Sequence, residues 1–273
     1  MGLGRKHTFQ NHGMTFYPVA WFFAGELNGT EQGATSFSNF DGRWQMSKIV
    51  NGSSRQPLSG LPPRQIVLLL HGYGSNGADL ISFASQWQEA LPDALFLAPN
   101  APQSSGAGAG YQWWPLTAFT PAALAAGAAS ASGAIDEFID RKLAQYQLSE
   151  FSLAIVGFSQ GTMMALQVGL RRQQQVAAIV GYSGMLTGAE ELSKQLVTKP
   201  PVLLIHGAAD QIVPVAALRI AEIELRGLGI DVTTHVSPTL GHSVDPVGLQ
   251  MGVQFIADAF GAAERIKTAE AGS

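Results

Sequence analysis

The stretch that decides the fold is Gly157-Phe158-Ser159-Gln160-Gly161. It follows a mostly apolar run at 151–156 and precedes good helix formers at 162–166, which predicts a strand, a sharp turn and a helix. At such a turn the serine has a strained backbone, and the residues two before and two after it have no room for side chains. The two flanking glycines meet that requirement, although 31 glycines in 273 residues also allow a chance match.

Outside this turn, short and mostly apolar runs alternate with segments whose apolar residues have helical spacing. The runs lie at 66–70, 95–98, 153–156, 177–180, 202–205 and 232–236. The helical patterns lie at 80–91, 135–143, 163–170, 215–225 and 249–260. This alternation is typical of a mostly parallel sheet with helices on both faces, so the sequence predicts the α/β class.

Composition excludes several classes of partner and site. The net charge is −4 and basic residues form no cluster, so we expect neither a nucleic-acid partner nor stable membrane insertion. Without cysteine, the chain has no disulfide, thiolate nucleophile or cysteine-based metal site. The same absence is compatible with a reducing compartment, and we expect a cytoplasmic location. The composition leaves the oligomeric state open.

The first part of the chain differs from the rest. We predict a poorly ordered extension at 1–60, one α/β domain at 61–265 and a flexible tail at 266–273. Within the extension, the apolar run 16–24 is too short to span a bilayer and only weakly resembles a secretion signal, which leaves export possible. Met46 is an alternative start, and we expect 1–45 to be dispensable.

A nucleophilic serine needs an imidazole as base and a carboxylate that orients the imidazole. In α/β-hydrolases, which carry their serine at a strand–turn–helix bend of this kind, the three follow in the chain order serine, acid, histidine, which leaves three candidates for the base. His206 precedes the best acid, which favours a structural role, and His235 lies inside a predicted strand. His242 lies in a loop between the last strand and the last helix, so we predict that it is the base.

The predicted acid is Asp210, which follows the apolar run 202–205 after a short turn and lies between Ser159 and His242 in the chain. An aspartate there is also a common helix cap or turn residue. Asp231 begins the next run at its opposite end and reads as a turn residue. Asp245 follows the predicted base so closely that it more readily caps the last helix, and it is the reserve candidate.

An oxyanion needs two N–H donors. We predict the main chain of Gln160, which follows the nucleophile, and that of Tyr73 in the glycine-rich loop 71–77. That loop lacks the lysine of a phosphate-binding loop. A second glycine-rich loop, 104–110, leads to Trp113 and Trp114. These aromatics could either anchor a surface loop or line an apolar pocket.

Six short motifs occur in order: Leu70-His71-Gly72-Tyr73-Gly74, Ala98-Pro99-Asn100-Ala101-Pro102, Trp113-Trp114, Gly157-Phe158-Ser159-Gln160-Gly161, His206-Gly207-Ala208-Ala209-Asp210 and Gly241-His242. Together they resemble the phospholipase/carboxylesterase family, which includes the acyl-protein thioesterases. The likeness runs from about residue 63 to 260 and implies an α/β-hydrolase fold without a cofactor. It also implies a catalytic triad of Ser159, Asp210 and His242. Tyr73 stands where many members have leucine, and the tryptophan pair differs from their usual Trp-Phe-Asp.

The expected activity is therefore that of a serine hydrolase. Its substrate is a small-molecule carboxylic ester or thioester with an apolar acyl or alkyl group, cleaved through an acyl-enzyme. Alternatives are a peptidase or acyl transferase on the same fold and a non-catalytic binding protein. A metallohydrolase is less favoured because the six histidines show no metal-binding spacing.

Overall fold

The computed structural model describes residues Ile49, 52–106, Gly108 and 110–271 of the chain. The hypothesis that 1–45 is dispensable therefore concerns residues outside the described ones. In the part of the chain that the structure describes, every helix is too short or too polar to cross a lipid bilayer.

The described strands are β1 (Gly52–Arg55), β2 (Gln65–Leu70), β3 (Ala94–Pro99), β4 (Gln103–Ser104), β5 (Tyr111–Gln112), β6 (Leu153–Phe158), β7 (Ala178–Tyr182), β8 (Val202–Gly207) and β9 (Val232–Ser237). The described α-helices are α1 (Gly77–Leu80), α2 (Ser82–Trp87), α3 (Pro121–Tyr146), α4 (Gln160–Gly169), α5 (Ala189–Gln195), α6 (Ala216–Gly227) and α7 (Pro246–Ala271). A 3₁₀ turn covers Glu150–Ser152.

The central sheet has the strand order β1-β3-β2-β6-β7-β8-β9. Every pair is parallel except β1 with β3, which is antiparallel. Each of the six predicted apolar runs forms a strand of this sheet, which confirms the α/β class. The carboxyl ends of parallel strands lie at the same edge of a sheet. The loops after β2, β6, β8 and β9 therefore lie at this edge.

The core has two layers because successive strand residues point to opposite faces of the sheet. In β2, Ile66, Leu68 and Leu70 belong to the core layer on the face that helices α3, α4 and α6 cover. Val67 and Leu69 belong to the layer on the other face, which α1, α2 and α7 cover. Burial on both faces explains why the strands read as continuous apolar runs rather than alternating ones.

Both predicted ends of the domain need correction. Strand β1 lies within 1–60, yet it pairs with β3, and Ile49 is buried in the core. The sequence signal was missing because the side chains of β1 are mostly exposed and the strand contributes main-chain hydrogen bonds. At the other end, α7 continues to Ala271, so most of the predicted tail is helical.

Arg172, just after α4, holds several elements together. Its side chain is 8% exposed, and its guanidinium donates to Asp136 and Asp140 of α3 and to Glu150 of the 3₁₀ turn. Glu150 is itself largely buried. Removing the cation would leave buried carboxylate charge without a partner.

We therefore expect Arg172→Met to lower the free energy of unfolding by about 3 kcal/mol, the low end for a broken buried pair because two of the carboxylates are partly exposed. Urea denaturation measures this change. The matched control is Arg64→Met, which removes an exposed ion pair with Glu264 and should cost less than about 1 kcal/mol. Equal losses in the two variants would contradict the assigned role of Arg172.

Candidate active site

Ser159 lies at the turn between β6 and α4 with φ 54° and ψ −115°, a backbone conformation that non-glycine residues rarely adopt. Its N–H donates to the carbonyl oxygen of Tyr182 at 2.9 Å. A Cβ on Gly157 would collide with Gly161, and one on Gly161 would collide with the main chain of Leu70. The two glycines therefore allow the turn, as the sequence predicted.

Asp210 and His242 come together above the edge of the sheet. The loops that carry them, after β8 and β9, are joined by hydrogen bonds from Ala208 N–H to Ser237 O and from Ala209 N–H to Leu240 O, both 2.9 Å. His242 Nδ1 lies 2.7 Å from Asp210 Oδ2. Since an ionised carboxylate only accepts, Nδ1 carries the proton and Nε2 is free to accept one.

The carboxylate of Asp210 is completely buried and has donors on both oxygens. The N–H groups of Ile212 and Val213 donate to Oδ1, each at 2.9 Å, while His242 and His206 contact Oδ2. Burial alone raises the pKa of Asp210. Hydrogen bonds from His206, His242 and Val213 outweigh it and hold the pKa well below its usual range, so the group stays ionised.

His206 has a contact that the sequence did not predict. Its Nε2 lies 2.8 Å from Val213 O and 3.2 Å from Asp210 Oδ2. Both atoms are acceptors, so Nε2 carries the proton and donates to them. The structural role expected for His206 is thus to donate a hydrogen bond to Asp210, the predicted acid. In the sequence, the only indication of this contact is that His206 lies four residues before Asp210. The turn after β8 is what brings the two side chains together.

His242 is 19% exposed, and its ring lies 5.0 Å from the ring of Phe158, the residue before Ser159. Its loop is also tied to β7, because the Ser183 hydroxyl donates to Ser243 O at 3.2 Å. These contacts hold the imidazole at the strand edge where Ser159 lies.

The loop after β2 passes close to the nucleophile. A Cβ built on Gly72 would lie 3.2 Å from Ser159 Cβ, so the main chain of Gly72 passes close to the side chain of Ser159. The loop pairs with β5 through hydrogen bonds from Gly74 N–H to Tyr111 O and from Tyr111 N–H to Ser75 O, both 2.8 Å. Among the described residues, the N–H of Tyr73 has no acceptor.

The second predicted donor, the N–H of Gln160, belongs to the first residue of α4 and so has no acceptor within the helix. The side chain of Gln160 has a role that the sequence did not indicate. Its Oε1 accepts from Trp113 N–H and its Nε2 donates to Trp114 O, both at 3.0 Å. This buried amide joins the turn of Ser159 to the segment that follows β5.

Trp113 and Trp114 are buried in the core, with 1% and 4% of their surfaces exposed. These residues are therefore not exposed, and their burial is consistent with the interpretation that they anchor the loop that precedes them. The ring of Trp114 packs under α3, where a Cβ on Gly127 would collide with it. Glycine at 127 is what allows this close approach.

The remaining candidates lie elsewhere. Asp245 accepts from Gly248 N–H at 2.7 Å and caps α7, as expected of that residue. His235 lies in the middle of the edge strand β9. Among the described residues, no group of three or more histidine, aspartate or glutamate side chains is arranged to hold a metal ion.

Comparison with known proteins identifies the family. The profile described as phospholipase/carboxylesterase matches residues 58–259, about three quarters of the chain. The chain belongs to the phospholipase/carboxylesterase family. This membership confirms the α/β-hydrolase fold that the six motifs implied. It makes the protein a hydrolase of carboxylic esters or thioesters.

Relatives of this family member include two proteins that are named as hydrolases. Esterase YpfH of Escherichia coli K12 is 26% identical over 71% of this chain and 83% of its own length. Acyl-protein thioesterase 1 of Gibberella zeae is 29% identical over 66% of this chain and 84% of its own.

Two solved structures are similar to this family member. The crystal structure of esterase PE8 is 40% identical, with a TM-score of 0.73 over 76% of this chain and 98% of that one. Arabidopsis thaliana SOBER1 is 23% identical, with a TM-score of 0.66 over 72% of this chain and 99% of that one, and supports the fold alone.

Proposed function

We propose that the protein hydrolyses esters or thioesters of apolar carboxylic acids through an acyl-enzyme on Ser159. The observation that carries the proposal is the 2.7 Å contact between His242 and the buried, ionised Asp210, at the strand edge where Ser159 has its strained backbone. Together these features supply a nucleophile, a base in the correct tautomer and a group that orients the base.

In acylation, His242 Nε2 takes the proton of the Ser159 hydroxyl as the oxygen attacks the carbonyl carbon. The tetrahedral oxyanion accepts hydrogen bonds from the main-chain N–H groups of Tyr73 and Gln160, and the positive end of α4 adds to this stabilisation. Asp210 stabilises the imidazolium without taking its proton. His242 then protonates the leaving oxygen or sulfur, and the alcohol or thiol departs.

In deacylation, water takes the place of the departed alcohol or thiol. His242 removes a proton from the water, which attacks the acyl carbon, and the same two N–H groups stabilise the second oxyanion. The imidazolium returns the proton to the Ser159 oxygen, which releases the carboxylic acid. No cofactor takes part in this sequence.

The proposed preference for apolar groups rests on two exposed apolar side chains that lie near triad residues along the chain, and on the relatives. Ile212 is two residues after Asp210 and is 47% exposed, and Val247 is five residues after His242 and is 56% exposed. The relatives named as an esterase and an acyl-protein thioesterase are consistent with an apolar acyl substrate. A cytoplasmic location stays a prediction.

The test of the proposed function is labelling with a fluorophosphonate, which reacts with an activated serine. We expect the folded protein to bind one equivalent at Ser159, located by mass spectrometry of the digested protein. Urea-denatured protein is the control, because it keeps every serine but loses the triad geometry. A folded protein that fails to react, or that reacts at another serine, would show the proposal to be wrong and favour a non-catalytic binding protein.

A panel of p-nitrophenyl esters and matched thioesters then defines the substrate. Chains from acetyl to palmitoyl test the apolar preference, and a matched peptide amide tests the peptidase alternative. We expect turnover of both esters and thioesters and none of the amide, since an amine is the poorer leaving group.

A further inference from the structure

His71 is a buried histidine that the mechanism above does not use. It directly follows β2, and its side chain is inaccessible to solvent. Its Nε2 lies 2.9 Å from the N–H of Ala101, and its Nδ1 lies 2.7 Å from the carbonyl oxygen of Gly72. Both ring nitrogens therefore have main-chain partners.

These partners determine the tautomer of His71. The N–H of Ala101 can only donate, so Nε2 must be unprotonated and accept. The carbonyl of Gly72 can only accept, so Nδ1 carries the hydrogen and donates. Burial also lowers the pKa of His71 to about 4, and the bond to Gly72 opposes this only in part. The imidazole is thus neutral at about pH 7, well above this pKa.

The ring itself is held by its neighbours. The centroid of the Trp113 ring lies 5.3 Å from that of His71, and Trp113 Nε1 donates to the carbonyl oxygen of His71 at 2.8 Å. Tyr111 packs edge-on at 6.4 Å. Because these contacts fix the ring, its Nδ1–H points in one direction only.

The hydrogen bond to Gly72 acts on the proposed oxyanion donor. The carbonyl of Gly72 and the N–H of Tyr73 belong to the same planar trans peptide and point in opposite directions. A peptide whose carbonyl is bound to His71 therefore presents its N–H on the side away from that ring. Gly72 is the residue whose hypothetical Cβ lies 3.2 Å from Ser159 Cβ.

We propose that His71 is a positioning residue, which orients the Gly72–Tyr73 peptide so that its N–H, and not its carbonyl oxygen, faces the oxyanion at Ser159. The proposal rests on the function proposed above. It gives a reason for a polar side chain inside an apolar core. The loop needs such a restraint because glycines at 72 and 74 allow peptide rotation, and Gly74 already has a φ of 76°.

Two substitutions test the hydrogen bonds of the two His71 nitrogens one at a time. In His71→Gln, Oε1 replaces Nε2 as the acceptor for Ala101, and the position of Nδ1 is occupied by carbon, which cannot donate to Gly72. In His71→Asn, the side-chain NH₂ lies near the position of Nδ1 and can donate to Gly72, while Ala101 N–H loses its partner. The matched control is His235→Gln, the same exchange in the middle of β9, away from Ser159.

We expect kcat to fall at least about tenfold in His71→Gln with little change in KM, as for partial loss of one oxyanion donor. His71→Asn should have a higher kcat than His71→Gln although it is the less thermally stable of the two. The affinity for a trifluoromethyl ketone, which forms an oxyanion with Ser159, should fall by the same factor as kcat/KM. The control should match the unsubstituted protein.

Two results would overturn the proposal. One is an unchanged kcat and ketone affinity in folded His71→Gln. The other is a loss of activity that follows the folded fraction in both variants, as a purely structural role predicts. If the variants do not fold, ¹⁵N NMR of the unsubstituted protein decides, because the proposal requires a protonated Nδ1 and a bare Nε2 on His71.

Failure of this proposal is distinguishable from failure of the proposed function. If Ser159 is not a nucleophile, the unsubstituted protein itself neither reacts with fluorophosphonate nor cleaves esters. If only the role of His71 is wrong, the unsubstituted protein is fully active and each folded molecule of His71→Gln is as active as one of His235→Gln.

Discussion

Ser159→Ala is expected to hydrolyse a p-nitrophenyl ester about a thousandfold more slowly than the unsubstituted protein, or slower still. The substitution removes the only atom that bonds to the acyl group. It leaves the two N–H donors and the His242–Asp210 pair in place, so a small residual rate over water should remain. The measurement is kcat under saturating substrate, together with a test for a burst of p-nitrophenol, which should disappear.

The control for this substitution is Ser193→Ala on α5. The Ser193 hydroxyl donates to Glu190 O on an exposed helix surface, so its loss should leave turnover unchanged. Circular dichroism of Ser159→Ala should match that of the unsubstituted protein, which excludes unfolding as the cause. Near-normal turnover by folded Ser159→Ala would eliminate the acyl-enzyme mechanism.

Asp210→Asn is expected to reduce kcat by about ten thousandfold, the effect of replacing the triad acid by its amide in another serine hydrolase. The N–H groups of Ile212 and Val213 need an acceptor and retain the amide oxygen at the Oδ1 position. The amide NH₂ then faces His242. It forces Nδ1 to accept and places the proton on Nε2, where it blocks removal of the proton from Ser159.

The matched control is Asp245→Asn, the same exchange at the reserve candidate for the acid. Asparagine caps a helix about as well as aspartate, so we expect activity and thermal stability to stay near their original values. A comparison of kcat in the two variants thus shows which of the two aspartates is the triad acid. A large loss in Asp245→Asn, with Asp210→Asn active, would transfer the role of the acid to Asp245.

Features that depend on neighbouring residues could be predicted from the sequence. The six apolar strands, the helices between them and the turn at Ser159 were recognised because periodicity and glycine sterics act over a few residues. The candidate triad followed from chain order and loop position. The family motifs gave the same three residues independently.

The missed features depend on contacts between distant segments. Strand β1 has a polar sequence and exists because β3 offers it an unpaired edge. The sequence left the burial of Trp113 and Trp114 open, because His71 and α3, which contact them, lie elsewhere along the chain. For the same reason, no local pattern shows that the Gln160 side chain binds the main chain of both tryptophans.

The sequence by itself determined the α/β class, the strained serine and the order of nucleophile, acid and base, since these depend on side-chain size, periodicity and position along the chain. Only the tertiary structure decided which polar groups face one another. The contacts of His206 with Asp210 and of His71 with Gly72 and Ala101 are of this kind. The physical reason is that a hydrogen bond requires a donor and an acceptor within about 3 Å of each other, and packing of the whole sheet sets that distance.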